Sequence, residues 1–176
     1  AIALERTSRF ESAARLYQRI VDEVGPLKGA TPQEQAQLDS ILGNAYFRLG
    51  YNANRFFDFD RPVESYRVLA DSERFTKSSA PSLVEAREGA LINAAKILEY
   101  RQQYERAATY YKRAADVLRD ANERRAAAFR VAEMSFKLKQ WAKAQREMQD
   151  FIAKYKADPA AGELLVEAYS RIAELA

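Results

Sequence analysis

The chain has 176 residues, 48% hydrophobic and 30% charged, with a formal charge of +3, the proportions of a folded chain rather than a disordered tail. It contains no cysteine and no histidine, which excludes disulfides, the usual zinc frameworks and the commonest general base. Charge is uneven: residues 101–156 carry 14 basic and 7 acidic side chains, a balance of +7 against −4 for the remainder, a polarity that can steer an acidic partner.

The chain opens on Ala1-Ile2-Ala3-Leu4 with neither an initiator Met nor a charged-then-apolar leader, which reads as an interior fragment whose first helix is truncated. Phe10 then begins a helix with apolar residues at helical spacing, Ala13, Tyr17 and Ile20. Gly25-Pro26 ends it, glycine suiting a left-handed cap and proline being unable to continue the hydrogen-bond ladder. Thr31-Pro32-Gln33-Glu34 is a capping-box signature, with Thr31 as cap and Glu34 reaching back. The next helix carries Leu42-Gly43-Asn44-Ala45-Tyr46-Phe47-Arg48-Leu49-Gly50, followed by about seven extra residues, Tyr51 to Phe57.

A second helix is expected from about Asp60 or Arg61, with Pro62 in its first turn. The polar stretch Thr76–Ser82 precedes a helix to about Gln102. Asp120-Ala121-Asn122 and Ala157-Asp158-Pro159 punctuate the last two boundaries.

The sequence repeats itself. Val131–Ala144 lines up without a gap on Ala94–Ala107, and Leu42–Gly50 repeats the first part of that pattern. Four second helices begin with an aromatic followed three positions on by a packing residue: Phe10 and Ala13, Phe59 and Pro62, Tyr104 and Ala107, Trp141 and Ala144. Such self-similarity marks stacked helical hairpins, none of which can bury its apolar face alone.

This pattern resembles the tetratricopeptide repeat (TPR) family over nearly the whole chain, with small residues Gly43, Ala95 and Ala132 placed to meet Ala13, Ala107 and Ala144 at helix crossings. The resemblance implies an all-α fold, a right-handed solenoid of antiparallel helical hairpins forming one domain over 1–176. Its units run about 1–30, 31–78, 79–120 and 121–157, with a partial unit over 158–176. The spacings exceed the family's usual ~34 residues. Arg171–Leu175 echoes Arg130–Met134, so both ends look cut from a longer array. The opening hairpin is then expected to fray or to pair with another copy.

The resemblance also implies a function: a scaffold that binds a partner protein or peptide on the concave face lined by first helices. The family's groove positions fall on Asn44, Phe47 and Arg48, on Ile92, Lys96 and Tyr100, and on Phe129, Phe136 and Lys137. Ser40, Glu99 and Glu133 lie on the same faces. Ser40 stands where the carboxylate-binding subgroup carries lysine, which disfavours that subgroup. Aromatics with Arg48, Lys96 and Lys137 suit a segment with apolar anchors and acidic residues.

The aromatic group Tyr46, Phe47, Tyr51, Phe56, Phe57 and Phe59 is either a partner patch or a staple between hairpins. No catalytic motif, cofactor or metal set is expected, because serines lack a histidine and carboxylates fall on polar faces. The basic strip of Arg124, Arg125, Arg130 and Lys137 is too interrupted to favour nucleic acid. Residues 151–159 are similar to repeats of bacterial envelope proteins of assembly, secretion and gliding motility, which implies a periplasmic setting, with the cytoplasm as the alternative. The rival reading is a structural spacer inside a longer array.

Overall fold

The helices follow one another along the chain, many of them separated by short turns. The computed structural model describes residues 1–55, 58–78 and 80–175, and among these every regular element is helical. In chain order these are α1 (Ile2–Arg6), α2 (Phe10–Val24), α3 (Pro32–Arg55), α4 (Asp60–Asp71), α5 (Glu73–Thr76), α6 (Pro81–Tyr100), α7 (Tyr104–Val117), α8 (Ala121–Lys137), α9 (Trp141–Tyr155) and α10 (Gly162–Glu174). A 3-10 turn, Pro159–Ala161, precedes α10. None of the described helices is long and apolar enough to cross a membrane. The chain divides into two compact units, Ala1–Ala94 and Ala95–Ala176, with the boundary inside α6.

Three of the turns have one geometry. Ser8, Gln102 and Lys139 are left-handed, with φ of 57°, 58° and 58°. Each residue that follows donates its N–H five positions back: Arg9 to Leu4 O, Gln103 to Leu98 O, and Gln140 to Ser135 O, at 2.9, 2.8 and 3.0 Å. The left-handed residues themselves bond three back, to Glu5, Glu99 and Phe136. This double closure is the Schellman end of a helix, and it satisfies carbonyls that would otherwise be orphaned. The aromatic that opens the second helix follows two residues after each left-handed position.

Gly25 does not use the left-handed cap that its sequence suggests. Its φ and ψ are −52° and −46°, and its N–H bonds Val21 O as another helical turn would. Pro26 is left to end the ladder. The capping box at Thr31 does form: Glu34 N–H donates to Thr31 Oγ1 at 3.2 Å, and the Glu34 carboxylate accepts from the N–H groups of Ala30 and Thr31 at 2.8 and 3.3 Å. Asp120 caps α8 through Glu123 N–H, and Asp158 caps the 3-10 turn through Ala160 N–H.

In unit 1, α2 packs on α3 and α3 on α4. The crossings are close because small residues sit there. Ala13 is fully buried, while Gly43 makes room for α6, since a Cβ on it would collide with Leu83 Cδ2. A Cβ on Gly50 would lie 2.7 Å from the Tyr66 ring, itself 1% exposed. The extra residues after Gly50 extend α3 to Arg55; Phe56 and Phe57 lie outside the described residues. The remaining aromatics of that stretch divide their contacts. Tyr46 meets Phe75 edge-on at 5.9 Å, Phe47 lies 5.9 Å from Tyr66, and Arg55 covers the rings of Tyr51 and Phe10.

In unit 2, α7 packs on α8, α8 on α9, and α9 on α10. Ala107, Ala132 and Ala144 are at most 1% exposed, so the three positions expected at crossings are core. Phe129, Met148, Phe151 and Tyr155 form an apolar cluster with Ala161 and Ala168.

Candidate functional site

The expected partner-binding residues divide between the two units. In unit 1, Asn44 is exposed, and its side-chain amide donates to Ser40 O, one turn back, at 2.9 Å. Phe47 is half-buried, with its ring against Tyr66 and beneath Gly89. Arg48 reaches Glu5 across the α1–α3 gap, Nη1 to Oε2 at 3.2 Å. Ile92 is half-buried.

In unit 2, Lys96 is exposed and Tyr100 is 75% exposed. Phe129 corrects the groove assignment. It is 2% exposed and meets Phe151 edge-on at 5.5 Å, so it belongs to the core. Its neighbour on the same helix, Phe136, is half-buried between Trp141, at 5.4 Å, and the Arg171 guanidinium, 5.1 Å from its ring. Lys137 donates to Glu99 Oε1 at 2.6 Å and lies 5.6 Å from the Tyr104 ring.

The polar groups on these faces form a pattern that recurs between hairpins. Arg48 lies five residues after Gly43, as Lys137 lies five after Ala132. Each reaches back to a carboxylate three residues before a left-handed turn, Glu5 or Glu99. A tyrosine at a shared position of the second helix completes both groups. Tyr111 donates its hydroxyl to Glu99 Oε2 at 2.7 Å. Tyr17 is 6% exposed beside Glu5, with no hydrogen bond from its buried hydroxyl. Asn52 also donates to Glu5, at 2.6 Å.

Around Glu99 the network widens. Arg130 lies 3.5 Å from Glu99 and 2.6 Å from Glu133, and Arg171 on α10 lies 3.5 Å from Glu133. Carboxylates expected on solvated faces are in fact drawn inward: Glu133 is 6% exposed and Asp39 8%. Asp39 holds Arg74, which also donates to Gly25 O at 2.8 Å.

Burial opposes ionisation of Glu99, yet hydrogen bonds from Lys137 and Tyr111 and the nearby charges of Arg130 and Lys137 outweigh it. Its carboxyl is held below its ordinary value. The Tyr111 phenol is pushed up by burial first and by Glu99 second. Tyr17 is pushed up to about 12 by burial, and then by the charge of Glu5. The repeat register carried the signal for these groups, since it placed Arg48 with Lys137 and Glu5 with Glu99. Missing was the three-dimensional fact that a first helix faces the one before it.

Comparison with protein-family models and with curated proteins returns no match for this chain. The likeness to tetratricopeptide repeats therefore rests on the residues named above.

Proposed function

We propose that this chain is a TPR-like scaffold, without chemistry of its own, that binds a protein segment along the exposed faces of its first helices. The supporting observation is the thrice-repeated hairpin turn, which joins a first helix to the second helix that follows it, with Lys96 and Tyr100 exposed on one such first helix. An aromatic and a lysine one turn apart suit a segment with an apolar anchor and an acidic flank. The similarity of residues 151–159 to envelope repeats extends the proposal to a bacterial envelope complex of assembly, secretion or motility.

A spacer role is the second reading. It is favoured by the pairing of Arg48 and Lys137 with carboxylates of this same chain.

Photo-crosslinking from positions 96 and 100 separates the two. A scaffold gives crosslinks to one partner protein, weakened by Lys96→Glu and unchanged by Arg146→Glu at an exposed position of α9. Crosslinks confined to this protein's own chain would leave only the spacer.

A further inference from the structure

The two ends of unit 2 differ in charge and in exposed aromatic surface. At one end lie the turns α6–α7 and α8–α9. They are held side by side by the Lys137–Glu99 pair and by Lys137 over the Tyr104 ring. Residues 96–106 and 137–143 carry six cations (Lys96, Arg101, Arg106, Lys137, Lys139 and Lys143) against the two carboxylates Glu99 and Glu105. Glu99 is already neutralised by Lys137. At the other end, residues 117–124 and 154–163 hold Arg119, Arg124, Lys154 and Lys156 against Asp120, Glu123, Asp158 and Glu163, a balance of zero.

The basic end also carries two of the exposed aromatics of unit 2, Tyr100 at 75% and Trp141 at 47%; another, Tyr169, lies on α10. Lys143 has an i,i+4 partner in Glu147, Nζ to Oε1 at 3.8 Å, and half of its side chain remains exposed. Lys143 sits in the first turn of α9, which holds no acidic residue, although the helix dipole favours anions there. Lys139 occupies a left-handed position with its side chain in solvent.

We propose that this end of unit 2 docks on an anionic phospholipid surface. Lysines and arginines near such a surface are drawn to its negative potential, while Trp and Tyr favour headgroup depth, apolar body inward and polar edge outward. Cations flanked by one Trp and one Tyr at a single edge provide both contributions, and the balanced far end gives the adsorbed unit one orientation. The attraction is electrostatic and weakens with salt.

Trp141 is the single tryptophan of the protein, so its emission reports this edge alone. The intact chain is mixed with vesicles of phosphatidylcholine, with and without phosphatidylserine, and followed by co-sedimentation and Trp141 fluorescence. The expected result is binding to the phosphatidylserine vesicles only, with a blue shift of Trp141. Reversing Lys139 and Lys143 to glutamate should weaken binding at least roughly tenfold, with helicity unchanged by circular dichroism. Reversing Arg119 and Lys156 at the far end should leave it within about twofold of the parent.

Absence of vesicle binding would overturn the proposal. So would binding that leaves Trp141 emission unmoved, an equal loss from the far-end reversals, or binding of single-stranded RNA without binding of vesicles.

Discussion

At the residue scale the most informative positions are those where an ordinary side chain adopts the backbone of glycine. Ser8, Gln102 and Lys139 are all left-handed, a conformation that costs a residue with a Cβ roughly 1–2 kcal/mol. Glycine would remove that cost while giving back part of it through its freer unfolded chain, roughly 0.5–1 kcal/mol. Gln102→Gly is therefore expected to stabilise the protein by about 0.5–1 kcal/mol, read as a higher urea midpoint with unchanged slope. A lower midpoint would mean that Gln102 is not left-handed in solution. Gly50 stands at the same repeat position, where its freedom would suit this turn, yet it lies inside α3. What Gly50 supplies is room for Tyr66. Sequence shows which residue tolerates a left-handed backbone; whether the chain turns there depends on the residues that follow.

At the scale of elements, much was legible. The capping box at Thr31, the start of α4 near Asp60 and the starts of the second helices at Phe10, Tyr104 and Trp141 appear where the pattern placed them; Ala13, Ala95, Ala107, Ala132 and Ala144 are buried, and Gly43 faces Leu83 and Leu69. These depend on local spacing, which one helix imposes on its own sequence. The candidate face was less legible. Phe129 and Phe136 sit on the same helix seven residues apart, and only the structure shows that Phe129 faces Phe151 while Phe136 faces Trp141. Likewise Arg48 and Lys137 read as cations awaiting a partner, because their carboxylates lie 43 and 38 residues away. The α3–α4 crossing offers a direct test of element packing. Gly50→Ala gains about 1 kcal/mol of helix propensity but pushes a methyl into a ring that is already buried. A net loss of about 1–3 kcal/mol is expected from overpacking, and Gly50→Ala combined with Tyr66→Leu should recover part of it. If Gly50→Ala alone were stabilising, α3 and α4 would not cross as closely as described.

At the scale of the whole molecule, the buried ionisable groups set how stability follows pH. Glu99 is held below its ordinary value in the folded protein. The unfolded chain therefore takes up its proton first as pH falls, and the stabilisation is present above about pH 4.5 and lost below it. Tyr17 behaves oppositely. Its phenol is pushed up to about 12 from 10.0, so its contribution is whole below pH 10 and declines as pH rises from 10 towards 12. Tyr66 and Tyr111 are raised in the same direction, both by burial first, and they steepen the same alkaline limb. Thermal melts across pH should accordingly give a plateau near neutrality with a fall on either side. Two substitutions divide the limbs. Glu99→Gln removes the group that titrates, so its melting temperature should start below that of the parent and converge on it under acid. Tyr17→Phe deletes a buried hydroxyl that has no hydrogen-bond partner, so a gain of about 1 kcal/mol is expected at pH 7. Its advantage over the parent should then grow as pH rises from 10 to 12, because phenylalanine has no proton to lose. A constant difference across that interval would show that Tyr17 ionises as readily in the folded chain as in the unfolded one, and the Glu5–Tyr17 group would have to be redrawn.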